Sequence, residues 1–485
     1  MLLNADFTRR EVLSQTAFGV GAIALAYLMG QDQLRAEPPS SPSGKPPENL
    51  PLDMHTRRPH FEPRAKAMVS LFMHGGPSHV DLFDEKIELQ KHHGQEYGGD
   101  VVYSFVNRSN KKLFGSPFKF SKHGECGTSV SELLPQTARI VDDIAVLKSM
   151  HTGHNGHEVS IRYFHGGIAG VTGRPTLGSW ITYALGSVSQ ELPAYMVISD
   201  PAGHPVDATH NWSSGFMPPL YQGTVLRPQE PRILNLDPPP HLRGRQQAQN
   251  LELLKKLNQR HLQQHAGEAE LESRIASYEL AASMQTAAKE ALDISQEPEH
   301  IQRLYGVDQD ATRSYGTRCL IARRLIERGV RFIQIFLSGQ PWDTHSKNAE
   351  SLKGLTARTD QPSAALVQDL KQRGLLDDTI VLWTGEFGRL PVSQGTDGRD
   401  HNRHAFSLWL AGGGFRAGHM HGATDDFGYK SQTDVVSVHD LHATLLHALG
   451  LDHETLTYPY EGRDASLSDS EVTHARVVNG LLEAL

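Results

Sequence analysis

Short apolar runs that alternate with helical patterns constrain the fold of this 485-residue chain more than any other feature. The first run, residues 67–73 (AMVSLFM), has the length of a strand and ends at His74-Gly75-Gly76-Pro77. Such a run is typical of a buried parallel strand, because helices cover both faces of a parallel sheet. Further strands are predicted at residues 144–147, 195–198, 330–337, 379–384 and 406–410.

Helical patterns lie between these runs. One covers residues 363–373 and is stopped by Gly374, and another covers residues 438–449 with its leucines on one face. The alternation predicts an α/β fold with a mainly parallel central sheet and helices on both faces. A polar segment at about residues 245–290 interrupts it, with leucines at helical spacing. This segment predicts a helical insertion, as a cap or an oligomer surface, or else a long crossover connection.

The first 60 residues indicate export. Arg9 and Arg10 precede a weakly apolar stretch that is rich in Gly and Ala, which predicts a Tat-type signal peptide over residues 1–36. A short buried helix is the alternative interpretation. Residues 37–60 are rich in Pro and Ser and predict a linker, which leaves residues 61–485 as the globular domain. We therefore expect a periplasmic or secreted protein, with membrane attachment only if the signal is retained as an anchor.

Composition excludes some functions. The formal net charge of -8 argues against a nucleic-acid partner, since no basic field is present. The two cysteines could form one disulfide, but they do not form a paired motif of the kind that binds zinc. The 27 histidines, in contrast, supply many candidate metal ligands.

Polar motifs accompany four of the predicted strands, at residues 74–81 (HGGPSHVD), 342–345 (WDTH), 385–389 (GEFGR) and 399–404 (RDHNRH). Ligands in open α/β sheets bind at the carboxyl ends of strands, and three of these motifs follow their strand. The fourth precedes its strand. All four are expected in loops. A single Asp-x-His is more often a hydrogen-bonded turn, but four motifs beside strands favour a metal or anion site. Histidines and carboxylates bind divalent ions, which neutralise the charge of phosphate or sulfate esters during hydrolysis.

These motifs, together with residues 440–444 (DLHAT), resemble the domain-of-unknown-function 1501 (DUF1501) family from about residue 59 to near the C-terminus. That family is usually exported and is grouped with the alkaline phosphatase and sulfatase superfamily. The resemblance implies an alkaline phosphatase-like fold and, from the superfamily, a metal-dependent hydrolase of phosphate or sulfate esters. The expected substrate is a small anionic ester, and the expected cofactors are divalent metal ions, namely zinc, manganese or calcium.

The resemblance implies roles for individual residues of this sequence. The predicted metal ligands are Asp343, His345, Glu386, Asp400, His401 and His404, with His74 and Asp81 completing a second metal position. The predicted catalytic residues are His154 and His157, with Arg389 holding the anion through its fork of donors. Each ligand imidazole should have an acceptor for its other nitrogen, and Asp84 and Asp400 are the expected acceptors.

Two departures from the superfamily pattern support an alternative. Phe387 stands where the superfamily has a histidine, and no hydroxyl occupies the place of the nucleophile, since Thr152 and Ser160 are displaced from it. The alternative is a non-catalytic exported binding or structural protein that retains the fold. An adaptor in an exported complex is a third hypothesis, which depends on the helical insertion alone.

Overall fold

The computed structural model describes residues 53–104, 109–227, 229–233, 236, 244–265 and 268–484. The predicted signal peptide and most of the predicted linker lie outside these residues. Within the described ranges, none of the helices combines the length and the apolar character that a membrane crossing requires.

The described elements follow in chain order. The strands are β1 (Ala67–Phe72), β2 (Ser109–Leu113), β3 (Phe120–His123), β4 (Thr128–Ser131), β5 (Ile144–His151), β6 (Tyr195–Ile198), β7 (Thr224–Leu226), β8 (Phe332–Phe336), β9 (Thr379–Thr384), β10 (Gly388–Gln394), β11 (Gly398–Asn402), β12 (Phe406–Ala411), β13 (Met420–His421), β14 (Ala423–Thr424), β15 (Ser431–Thr433), β16 (Val436–Ser437), β17 (Tyr458–Tyr460) and β18 (Arg463–Ala465). The α-helices are α1 (His79–Leu82), α2 (Ile87–Lys91), α3 (His157–Gly166), α4 (Leu177–Leu185), α5 (Arg245–Gln264), α6 (Ala269–Leu292), α7 (Glu299–Leu304), α8 (Arg313–Ile326), α9 (Asn348–Gln372), α10 (Val438–Ala448) and α11 (Ser470–Thr473).

The central sheet has the strand order β13-β5-β12-β9-β1-β8-β6-β7, and β16 also pairs with β5. Neighbouring strands are parallel except at β12, which is antiparallel to both β5 and β9. Strand β5 therefore runs in the same direction as β9. The prediction of a mainly parallel sheet is confirmed.

Helices cover both faces of this sheet, as the buried pattern of β1 predicted. Val69 and Leu71 belong to a core cluster with residues of α6, α8 and α9. Met68 and Phe72 point to the opposite face and belong to a cluster with residues of α3, α4 and α10. All six residues of β1 are buried, because each face of the strand has its own hydrophobic layer.

Some helices differ in length from the sequence prediction. Residues 363–373 form the end of the much longer α9, which passes through the buried Pro362. The stabilisation from packing the apolar face of the helix outweighs the cost of the backbone hydrogen bond that Pro362 cannot donate. Helix α10 has nearly the predicted bounds, and a capping box between Ser437 and Asp440 fixes its start. Helices α5 and α6 occupy the segment that the sequence predicts as a helical insertion.

Two of the polar motifs lie in strands instead of the predicted loops. Arg389 belongs to β10 and His401 to β11, and these strands form an antiparallel pair in which the two residues lie opposite each other. Strand β2 extends the pair to a second, three-stranded sheet. Every residue of β10 and β11 is buried, so the alternation of polar and apolar residues that marks a half-exposed strand is absent from their sequence.

Candidate metal centre

The direction of the strands brings the polar motifs to one edge of the sheet. Strands β1, β8 and β9 are parallel neighbours, so the segments that follow them meet at their common carboxyl edge. Strand β5 has the same direction, and His157 follows it at the start of α3. Strand β12 is antiparallel, so its beginning lies at the same edge, and His401 reaches the site from β11 just before it. This explains why the fourth motif precedes its strand.

Three imidazoles and one carboxylate converge at this edge. His157, Asp343, His345 and His401 each offer one ligand atom, and these four atoms lie within 4.8 Å of one another. Nε2 of His345 and Nε2 of His401 each lie 3.0 Å from Oδ1 of Asp343. Nε2 of His157 lies 3.3 Å from Oδ2 of the same carboxylate. His401 is buried and the other three are partly exposed, so solvent can reach the group. These four residues are called the metal centre below.

Each imidazole of the metal centre has an acceptor at its other nitrogen. Nδ1 of His157 lies 2.7 Å from Oε1 of Glu386, and Nδ1 of His401 lies 2.6 Å from the carbonyl oxygen of Asn155. Nδ1 of His345 bonds Oε1 of Gln394. A neutral imidazole that donates from Nδ1 keeps its Nε2 lone pair for a metal. All three Nε2 atoms therefore face the common centre and are available as metal ligands.

The donor set fits a divalent metal ion. Three imidazole nitrogens with one carboxylate oxygen suit zinc or manganese, whereas calcium prefers a shell of oxygens. Nε2 of His157 is buried and has no hydrogen bond among the described residues, although it lies beside Asp343. A buried polar atom of this kind is satisfied when it coordinates an ion.

The electrostatics of the metal centre also favour a cation. Burial lowers the pKa of His157, but its contacts with the carboxylates of Asp343 and Glu386 outweigh burial and raise the pKa to about 9. Burial opposes ionisation of Asp343, yet its hydrogen bonds with the imidazoles hold the pKa well below the usual range. Burial lowers the pKa of His401 to about 4 in spite of Asp343. The carboxylates are thus ionised, and a proton on His157 holds a place that a metal ion would take.

Three more predicted site residues contact the metal centre without joining it. Glu386 also accepts a hydrogen bond from the backbone N–H of Gly75, at 2.8 Å. Asp400 lies 3.9 Å from Nδ1 of His345 and is bound mainly by Ser104. Arg389 was expected to hold a substrate anion, but its guanidinium is fully buried and bonds Asp343 and backbone carbonyls.

His74 and Asp81, predicted to complete a second metal position, have different partners in the structure. Asp81 lies in α1 and forms a two-pronged ion pair with Arg399. Nε2 of His74 lies 3.3 Å from Oδ1 of Asn211, and burial lowers the pKa of His74 to about 4. None of the hydrogen bonds and ion pairs found among the described residues joins the two side chains to each other.

Two predicted histidines and one predicted acceptor lie outside the metal centre. The ring of His404 packs on Tyr429, with centroids 5.2 Å apart, because the chain turns between β11 and β12. The ring of His154 packs on Tyr163, with centroids 5.6 Å apart. Asp84, an expected acceptor, bonds Thr424 and lies 3.2 Å from Lys86 instead.

Comparison with known proteins places the chain in a family. A family model described as "Protein of unknown function (DUF1501)" matches residues 65–482. None of the curated proteins compared with the chain matches it. Solved structures with some similarity include a sulfatase from Pseudoalteromonas sp., with 12% identity and a TM-score of 0.36 over 81% of this chain and 69% of that one.

Two others have similar scores. A phosphonate monoester hydrolase from Silicibacter pomeroyi has 13% identity and a TM-score of 0.33, over 71% of this chain and 73% of that one. A protein in the alkaline phosphatase superfamily from Vibrio parahaemolyticus has 10% identity and a TM-score of 0.32, over 90% of this chain and 74% of that one. These scores assign no activity to the chain.

Proposed function

The chain belongs to the DUF1501 family, whose model spans residues 65–482, and we propose that it is an exported, metal-dependent hydrolase of phosphate or sulfate esters. The observation that carries the proposal is the convergence of three imidazole Nε2 atoms and the Asp343 carboxylate within 4.8 Å. The resemblance of the family's motifs to the alkaline phosphatase and sulfatase superfamily supports the choice of ester. The Arg9-Arg10 segment supports export.

The residues of the metal centre would hold one divalent ion, with Glu386, Gln394 and the carbonyl of Asn155 fixing the imidazole rings. When bound, the ion would polarise the ester oxygens and lower the pKa of a water molecule, which provides a nucleophile without a side-chain hydroxyl. Such a nucleophile is needed here, because Ser160 is fully buried and donates to the carbonyl oxygen of His154 at 3.1 Å.

The start of α3 favours an anionic substrate beside the metal centre. His157 is the first residue of this ten-residue helix, and the N-cap Gly156 offers no side chain to the helix end. The backbone N–H groups of the first turn and the positive end of the helix dipole therefore lie next to the proposed ion. Both features attract a phosphate or sulfate group.

The test is turnover of aryl phosphates and aryl sulfates by the purified full chain, before and after removal of metal with a chelator. We expect chelation to abolish turnover and zinc or manganese to restore it, and we expect Asp343→Asn to be inactive under all conditions. Asp360→Asn is the matched control, since Asp360 is a buried carboxylate that accepts hydrogen bonds from Thr137 and contacts no residue of the metal centre. Turnover that survives chelation unchanged would refute the proposal.

A second candidate is an exported binding protein that keeps the metal centre without catalysis. Phe387 favours it, because this fully buried ring packs on His401 and His157 with centroid distances of 4.5 and 5.0 Å. The ring covers one side of the imidazoles where the superfamily has a further ligand. Bound metal together with no turnover of any ester in the panel would support this candidate.

A further inference from the structure

Two fully buried arginines hold two of the carboxylates that the sequence offers as metal ligands. Nη2 of Arg389 lies 2.5 Å from Oδ1 of Asp343. Nε and Nη2 of Arg399 lie 2.8 and 3.0 Å from the two oxygens of Asp81. We propose that these fixed guanidinium groups restrict the site to a single divalent ion, because they bind the carboxylates that a second ion would need. The inference rests on the metal centre of the proposed function but not on its activity.

Four donors already bind the carboxylate of Asp81. Besides the two bonds from Arg399, its Oδ2 accepts hydrogen bonds from Ser78 at 2.6 Å and from Asn348 at 2.9 Å. The side chain is fully buried, so a second ion at Asp81 would have to displace Arg399 and leave a guanidinium buried without a partner. This is the carboxylate for which the sequence predicted a role in a second metal position.

Arg389 is equally fixed. It bonds the carbonyl oxygens of Gly75 and Gly76, the second at 3.0 Å, and that of Arg399 at 3.1 Å. Gly75 has a φ of +111°, and a Cβ at this position would lie 2.4 Å from the backbone nitrogen of Asp343. The turn after β1 thus packs directly on the Asp343 segment, and Arg389 connects both to the β10–β11 pair. The guanidinium cannot move aside to admit an ion.

The charges around the imidazoles agree with one ion. The carboxylates that lie against the three rings belong to Asp343, Glu386 and Asp400. Arg389 offsets one of these three charges, and a single divalent ion offsets the remaining two. A second divalent ion would leave excess positive charge in a largely buried site, which is unfavourable unless further anions enter with it.

The decisive measurement is the number of ions per chain. Chelator-stripped full-length protein is titrated with zinc and with manganese by calorimetry, and elemental analysis is repeated after dialysis. We expect one ion per chain. Two ions would overturn this proposal alone, whereas no bound ion would overturn both this proposal and the proposed function.

Variants of Asp81 and of its partner Arg399 test whether Asp81 is a metal ligand. Asp81→Asn should still bind one ion, with an affinity within about threefold of wild type, since even residues that support a ligand typically change affinity by about 10–100-fold. A larger loss would show that Asp81 is a ligand and would overturn the proposal. If Asp81→Asn does not fold, the number of ions bound by Arg399→Lys is measured instead. This variant keeps the charge that holds Asp81 and should bind one ion, and a second ion would contradict the proposal.

Removal of the Arg389 charge should raise the number of ions that the chain binds. We expect Arg389→Gln to bind a second, weaker zinc ion, and Arg389→Lys to bind one ion only. Arg331→Gln is the matched control, because Arg331 is buried and donates to the carbonyl oxygens of Gly186 and Lys66 at 2.9 and 3.1 Å, before β8. A single ion in folded Arg389→Gln would contradict the proposed role of this arginine.

Discussion

The metal centre and a second cluster of charged residues belong to the same α/β layers but balance their charges differently. The second cluster, called the arginine–carboxylate network, consists of Arg323, Arg324, Arg373, Glu297, Glu327 and Asp369. Arg323 and Arg324 lie near the end of α8, before β8, and Asp369 and Arg373 lie at the end of α9, before β9. The network therefore lies towards the edge of the sheet opposite the metal centre.

Fixed charges of opposite sign meet in the network. Arg323 alone lies 2.5 Å from Glu297, 2.6 Å from Glu327 and 2.9 Å from Asp369. Arg373 contacts Asp369 and Glu327 at 2.8 and 2.7 Å. Three guanidinium groups thus face three carboxylates, and no external ion is required. In the metal centre, imidazoles stand in place of most of the guanidinium groups. A neutral imidazole carries no positive charge, so a metal ion or a proton must neutralise the carboxylates.

Asp369→Asn should have the largest effect on stability. It removes one partner from Arg323, which is held by a buried ion pair, and breaking such a pair costs about 3–5 kcal/mol. We expect the free energy of unfolding, measured by urea denaturation, to fall by this amount. Metal affinity should remain at the wild-type value. A tenfold or larger loss of affinity, about 1.4 kcal/mol, would show that the two clusters are not independent.

Asp343→Asn should abolish the stabilisation of the folded protein by metal. Wild-type protein should gain about 2.7 kcal/mol of stability when zinc or manganese is present at about 100 times its dissociation constant. The Asp343→Asn variant should gain nothing, because the carboxylate shared by all three imidazoles is lost. Thermal unfolding with and without metal measures the difference, and Asp369→Asn is the control that should keep the full gain. Equal stabilisation of both variants by metal would place the ion elsewhere.

Glu386→Gln tests how strongly the metal centre depends on its supporting carboxylate. Glu386 accepts from Nδ1 of His157 and is fully buried, so the variant loses the charge that makes this imidazole a strong ligand. We expect metal affinity to fall about 100-fold, as measured by calorimetry. Glu297→Gln is the matched control, since it neutralises a buried carboxylate of the network. A smaller loss in Glu386→Gln than in Glu297→Gln would refute this role.

The fold was largely predictable, because each parallel strand carries its own signal. Residues 379–384 and 195–198 form strands with the predicted bounds, since a strand buried on both faces is apolar throughout. The β10–β11 pair was missed because many of its buried residues are polar and are satisfied by contacts distant in sequence, such as that of Arg399 with Asp81. The length of α9 was missed because Pro362 usually interrupts a helix.

The site was predictable only in part. Asp343, His345 and His401 stood out because polar residues at strand ends meet at one edge of a parallel sheet. His404 belongs to the same motif as His401, but only the turn into β12 shows that its ring lies elsewhere. The role of Arg389 could not be read from the sequence, since the same fork of donors suits a substrate anion or a buried carboxylate. No sequence motif identifies acceptors such as Gln394.

Gln394→Ala should have the smallest of these effects. Gln394 is the acceptor for Nδ1 of His345, but it is neutral, and Oδ1 of Asp400 lies 3.9 Å from the same nitrogen. We therefore expect Asp400 to replace the lost acceptor in part and metal affinity to fall about tenfold, the low end for residues that orient a ligand. Gln361→Ala is the control, because the side chain of Gln361 donates to the carbonyl oxygen of Arg303 in α7. Calorimetry of both variants, with the optical spectrum of the cobalt-substituted protein, measures the change at the ion itself. A loss of affinity as large as that of Glu386→Gln would contradict this expectation. It would show that His345 depends on Gln394 as strongly as His157 depends on Glu386, so that a neutral acceptor supports the metal centre as well as a charged one.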